Sequence, residues 1–228
     1  MVTIRGIVFD MDGLLVDSEG DWDLVRRQFV AEHGGTLSDD HARAMLGMNT
    51  AQWSAYLREQ FALPLPDAAI GATVIERRME RYREHMVVMP GAIETVRTLA
   101  AHYPLAIASS SPAVLIGFVI AQLGLDQYFH ATASSDEVRQ GKPAPDVYLL
   151  ACERLGVPPA EATGFEDSGN GILAAKNAGL RVAAKNAGLR VIAVPNADFP
   201  PAATSLARAD LVLHSLTEFK PDMVDGER

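Results

Sequence analysis

Short apolar runs that stop at polar or acidic residues recur along the chain, and they set the first expectation of its architecture. Residues 4–9 end at Asp10, residues 105–108 at Ser109, residues 163–165 at Glu166 and Asp167, and residues 189–194 at Pro195. Such runs suit buried parallel strands whose carboxyl ends face a ligand. Helical periodicity fills the stretches between them, and the alternation predicts a doubly wound parallel α/β sheet. Between about residues 21 and 86 the rhythm is interrupted. Helix-like segments at 22–32, 51–61 and 67–85 follow one another there, separated by Gly34-Gly35 and by Pro64-Leu65-Pro66. Residues 17–86 are therefore expected to form a helical cap inserted into a core of residues 1–16 and 87–228. The linkers fall near 16–20 and 87–91, where Pro90-Gly91 punctuates the return to the core.

The nine residues AAKNAGLRV at 174–182 are repeated unchanged at 183–191. At about 100° per residue, nine residues make two and a half helical turns, so one continuous helix would turn the second copy's apolar face opposite to the first. It would also carry the following strand about 13.5 Å away from its neighbours. The first copy is therefore expected to keep the helix, residues 179–187 to form an irregular excursion, and Gly188 to lead into the strand. A variant lacking one copy is expected to melt at a higher temperature.

Composition narrows the class. The chain has 228 residues, enough for a sizeable interior, and 48% of them are hydrophobic. No apolar run approaches the roughly 20 residues that a membrane span needs. The first residues lack the cleavage pattern of a secretory leader, and a cytoplasmic location is expected. A single cysteine, Cys152, excludes an intrachain disulfide, and its place in the helical stretch 146–155 points to core packing. Twenty Lys and Arg against 29 Asp and Glu give a net charge of -9. That balance disfavours nucleic acid and anionic lipid as partners, so an anionic substrate would need a local positive site or a metal.

The candidate chemistry sits at the ends of the apolar runs. In DMDGLLVDS, Asp10 and Asp12 are two apart at a strand's end and can converge on one ligand. Two close carboxylates repel, and a hard cation with oxygen ligands relieves that repulsion, which suits magnesium. A calcium loop counted from Asp10 fails, because Gly arrives at position four and Asp21 stands at position twelve in place of Glu. Ser109 and Ser110 open a strand-to-helix junction, where hydroxyls and backbone N–H groups bind phosphate oxygens or, more plainly, cap the helix. Lys142, in GKPAPD, is fixed by Pro143 and Pro145 and can neutralise a phosphate. Glu166 and Asp167 precede Ser168, a natural N-cap, and can complete a metal's oxygen shell.

These four segments, in this order and with a helical insert after the first, resemble the haloacid dehalogenase superfamily in its subgroup with the cap after the first motif. The β-phosphoglucomutases and related phosphatases are in that subgroup. The resemblance spans residues 4–177. It implies Asp10 as nucleophile, Asp12 as general acid and then base, and Ser109, Ser110 and Lys142 as phosphate binders. It also implies a Mg2+ ion held by Asp10, the backbone carbonyl of Asp12, Glu166 and Asp167. Trp22, Asn49 and Trp53 are expected in the cap to face the substrate, although aromatic residues in a small helical unit more often form its core.

The implied activity is hydrolysis of a small phosphorylated metabolite, a sugar phosphate by default, by a monomer that needs no partner to complete its site. The mutase alternative is disfavoured. Where that family carries a histidine after the first motif this chain has Trp22, where it carries a phosphate-gripping cap arginine this chain has residues 47–50, and Pro112-Ala113 replaces its Lys-Asn. Haloacid dehalogenation itself is disfavoured by Asp12, since that branch lacks the second acid. A non-enzymatic phospho-acceptor, similar to a response-regulator receiver, and an enzyme disabled by the duplication are the remaining alternatives.

Overall fold

The computed structural model describes residues 4–45, 48–179, 190–197 and 200–224. Among the described residues six strands form one parallel sheet: β1 (Gly6–Phe9), β2 (Leu105–Ser109), β3 (Phe129–Ser134), β4 (Ala162–Glu166), β5 (Arg190–Ala193) and β6 (Leu211–Val212). Their order across the sheet is β3-β2-β1-β4-β5-β6. The chain fills one side of β1 with β2 and β3 and then crosses to β4 on the other. The direction therefore switches beside β1, where the carboxyl ends of an open α/β sheet leave a crevice.

Alternation along the strands splits the interior into two layers. Ile7 and Phe9 of β1, with Leu105 and Ile107 of β2, pack with the apolar faces of α5 (Ala92–Ala100) and α6 (Ala113–Gln122). Val8, Ala106 and Ala108 point the other way, against α7 (Asp146–Leu155) and α8 (Gly169–Asn177). Burying an aliphatic or aromatic side chain of this size contributes about 1.5–3 kcal/mol, so a two-sided apolar strand is held from both faces. Cys152 lies in the second layer, and burial pushes its thiol up to about 12, as suits a packing residue.

Among the described residues the helices α1 (Glu19–Glu32), α2 (Asp39–Ala44), α3 (Thr50–Phe61) and α4 (Asp67–Glu84) lie between β1 and α5. Their entry and exit strands touch: Asp17 N–H donates to the Val87 carbonyl at 2.9 Å, and Val16 and Val88 form an antiparallel bridge. On α4 the residues Ile70, Val74, Arg78 and Tyr82 recur every four positions and are all buried. Arg78 is fully buried, yet its charge is answered by Asp21 at 3.0 Å, by the Ser18 carbonyl at 3.2 Å and by the Tyr82 ring 3.8 Å away. Arg81 reaches the same Asp21.

The described part of the duplication bears on one expectation. Helix α8 stops at Asn177, with Ala178 as its C-cap, and β5 begins at Arg190. No single helix therefore runs from 171 to 187. The start of the first copy is helix and the end of the second is strand. The expected excursion, from residue 180 onward, lies outside the described residues.

Candidate active site

Asp10 follows β1, and its N–H donates to the Phe165 carbonyl, so the ladder between β1 and β4 fixes where its side chain starts. Lys142 Nζ lies 2.8 Å from Asp10 Oδ1 and 2.6 Å from Glu166 Oε1. All three side chains are buried. The Asp10 carboxyl is raised to about 7, chiefly by burial; Lys142 works against the rise, while Glu166 and Asp12 add to it. Burial works against the charge on Lys142 too, but Asp10 and Glu166 outweigh it and hold the ammonium well above the ordinary lysine range. The pocket thus gathers more negative charge than its one lysine balances.

Glu166 is the most heavily hydrogen-bonded of these acids. Its Oε1 accepts from Lys142 and from the Tyr148 hydroxyl at 2.8 Å, and its Oε2 accepts from Asp167 N–H, Ser168 N–H and Ser168 Oγ at 3.1–3.2 Å. Burial, then Glu166, raise the Tyr148 hydroxyl well above its ordinary value and keep it a donor. Carboxylate oxygens of Asp10, Glu166 and Asp167 lie within 4.8 Å of one another. Two glycines make this cluster possible. A Cβ on Gly13, whose φ of +79° already favours glycine, would stand 2.1 Å from Asp167 Oδ2, and one on Gly171 would stand 1.8 Å from Glu166 Oε1.

Asp12 turns the other way. Its Oδ2 accepts from Ser109 Oγ at 3.0 Å and from Ser111 Oγ at 2.7 Å, and Trp22 Nε1 lies 3.4 Å from its Oδ1. Ser109 also accepts from Ser111 N–H at 3.0 Å, so the turn after β2 closes on its own hydroxyl. Ser110 is half-buried beside them. Of the insert residues, Trp22 therefore reaches the pocket. Trp53 is buried with its ring 6.2 Å from Trp22, and Arg26 lies over both rings at 4.8 and 4.9 Å. Asn49 caps α3, accepting from Gln52 N–H at 3.0 Å.

Sequence reasoning did not single out Ser111, Ser134 or Tyr148 as site residues. Ser111 was within the serine run, where any of three hydroxyls could have been chosen. Tyr148 sits two residues beyond the GKPAPD segment, on the buried face of α7, and an apolar period there reads as core.

A parallel sheet whose switch point collects a buried lysine with four acidic side chains suits an α/β enzyme that handles an anionic substrate. Residues 4–179 match the family model described as haloacid dehalogenase-like hydrolase. A probable pseudouridine-5'-phosphatase of Drosophila melanogaster is 33% identical over 222 residues, covering 94% of this chain and 91% of that protein. Hexitol phosphatase B of Escherichia coli is 32% identical over 221 residues, covering 94% of each chain. A mutant CbbY from Rhodobacter sphaeroides, crystallised in complex with xylulose-(1,5)bisphosphate, has a TM-score of 0.82 at 27% identity, covering 98% of this chain and 100% of the other. The chain belongs to the haloacid dehalogenase-like hydrolases and is an enzyme of their phosphatase type.

Proposed function

We propose that the chain is a magnesium-dependent phosphatase that hydrolyses a small phosphorylated metabolite, a sugar or polyol phosphate, through an aspartyl phosphate on Asp10. The observation that carries this reading is the buried Asp10 carboxylate 2.8 Å from Lys142, with Asp12 held separately by two serine hydroxyls. This arrangement supports a reading in which one acid attacks and the other moves protons. In the first step Asp10 attacks phosphorus in line while Asp12 gives its proton to the departing alcohol oxygen. In the second step Asp12 takes a proton from water as it opens the aspartyl phosphate. Ser109, the backbone beside Ser110 and Lys142 hold the phosphoryl oxygens, and Lys142 answers the charge that gathers on them.

The donor set suits a hard divalent cation. Its side chains offer carboxylate oxygens that are close together, buried and in excess of the local positive charge. Asp10, Glu166 and Asp167 are the side chains that would hold it, joined by the Asp12 carbonyl. Glu166, already accepting five donors, orients Lys142 and the start of α8 around it. Bound there, magnesium supplies charge neutralisation for the phosphoryl oxygens. The helices at residues 17–86 act as a cap over the pocket, and Trp22 contributes an indole N–H at its wall.

The test is phosphate release from a panel of sugar, polyol and nucleoside monophosphates, with magnesium or EDTA. Release that requires magnesium and is absent from Asp10→Asn is the expected result. Release from a folded Asp10→Asn variant at the wild-type rate would rule out the covalent route.

A further inference from the structure

A continuous line of hydrogen bonds runs from the helical insert to Asp12. Thr50, the first residue of α3, donates its N–H to Asp136 Oδ1 at 2.8 Å, across from the insert to the turn Ser135–Glu137 that follows β3. The Asp136 N–H donates to Ser134 Oγ at 3.1 Å. Ser134 Oγ donates to the Ser111 carbonyl at 2.7 Å, and Ser111 Oγ donates to Asp12 Oδ2. Ser134 ends β3 directly opposite Ser109 at the end of β2, so the sheet register brings the two serine turns together.

We propose that Asp136, Ser134 and Ser111 are positioning residues that transmit docking of the α3 N-terminus to Asp12, so that the general acid is aligned when the insert is seated. This rests on the reading of Asp12 given above. The hydroxyl of Ser134 has its direction set, since it accepts from one amide and donates to one carbonyl. Ser134 is fully buried and Ser111 nearly so, which makes their part of the line costly to break. The Thr50–Asp136 contact is exposed, so the end that must open for substrate to enter is the end that water can replace. Asp12 Oδ2 takes both serine hydroxyls, so Oδ1, whose neighbour is Trp22 Nε1 at 3.4 Å, is the oxygen that hands a proton to the leaving group. A shift of Ser111 rotates that oxygen away from the alcohol it must protonate, and catalysis of this kind is sensitive to small misplacement.

The leaving group provides a readout that a merely structural role would not move. An alkoxide needs a proton to depart, whereas p-nitrophenolate does not, and kcat/KM reports the step in which the leaving group departs. The kcat/KM values for an alkyl phosphate taken from the substrate panel and for p-nitrophenyl phosphate are compared across Asp136→Ala, Asp136→Asn, Ser134→Ala and Asp12→Asn. Asp136→Ala and Ser134→Ala should each lower the value for the alkyl ester about tenfold and that for p-nitrophenyl phosphate less than about twofold. Asp136→Asn keeps an acceptor for Thr50 and should stay near wild type on both esters. Asp12→Asn sets the scale with a larger loss of the same selectivity. Equal losses on both esters in Asp136→Ala, beside a selective Asp12→Asn, overturn the relay and leave the reading of Asp12 intact. An unselective Asp12→Asn overturns that reading and the relay with it. Asp136 is exposed, so its alanine variant decides the matter even where Ser134→Ala does not fold.

Discussion

The strand-end pocket and the face where the helical insert meets the core are held in different ways. In the pocket Lys142, Glu166, Asp10, Ser109 and Tyr148 are buried, and their contacts lie at 2.6–3.0 Å at strand ends, in the turn before α7 and on α7 itself. Contacts between the insert and the core are fewer and more open. They include Thr50 on Asp136, Trp22 at 3.4 Å from Asp12, and Arg83 over Phe118 at 5.0 Å. Groups that must meet a reacting phosphorus within fractions of an ångström need a rigid support, and groups that must admit a substrate need contacts that open cheaply. The difference teaches that, on the proposed function, burial divides chemistry from access in this chain.

If that is correct, changes in the pocket should be severe and changes at the insert face mild. Asp10→Asn should lower turnover by on the order of 10⁴-fold while the protein stays folded, as phosphate release and circular dichroism would show. Glu166→Ala should destabilise by about 3–5 kcal/mol, because it leaves a buried ammonium with one partner fewer and several donors unanswered. A urea midpoint unchanged in that variant would mean that the pocket is far looser than its distances indicate.

A subtler effect concerns pH. Asp10 is near 3.8 when unfolded and about 7 in the fold, so the folded state holds its proton more tightly. Its contribution to stability is therefore full below about pH 4 and lost as pH rises towards 7. In EDTA the wild type should lose more stability than Asp10→Asn between pH 5 and pH 8, and magnesium should restore the difference at pH 8. Parallel behaviour of the two proteins in urea titrations would show that the pocket's negative charge is not a burden on the fold.

Much of this was legible in the amino-acid order, and the reasons are local. β1, β2 and β4 are apolar runs stopped by Asp10, Ser109 and Glu166, so both the strand and its chemical end can be read from a few residues. Strand β3 was not anticipated, because FHATAS at 129–134 is small or polar after Phe129 and its first four residues are not fully buried. The cost was to miss Ser134, which holds Ser111. Helix α7 was read over its full length, 146–155, but its Tyr148 was not singled out, since only the fold brings it 2.8 Å from Glu166. Arg78 was equally hidden. A charge on the apolar stripe of α4 is intelligible only once Asp21, 57 residues away in the chain, is seen beside it.

The smallest effect is expected at the insert face. Arg83 is exposed and its guanidinium lies over the half-buried Phe118 ring, a contact between α4 and α6 that is worth about 0.5–1 kcal/mol at such a site. Arg83→Ala should therefore move the urea midpoint little. If the contact favours the seated insert, its loss should change kcat/KM by no more than about fivefold, the same free energy expressed as a rate. The direction depends on which step is slow: weaker seating lowers kcat/KM when chemistry limits the reaction and raises kcat when release of product does. Steady-state and single-turnover measurements on the same substrate separate the two. A loss of a hundredfold or more would place Arg83 among the pocket residues and erase the distinction between a rigid chemical floor and an easily opened roof.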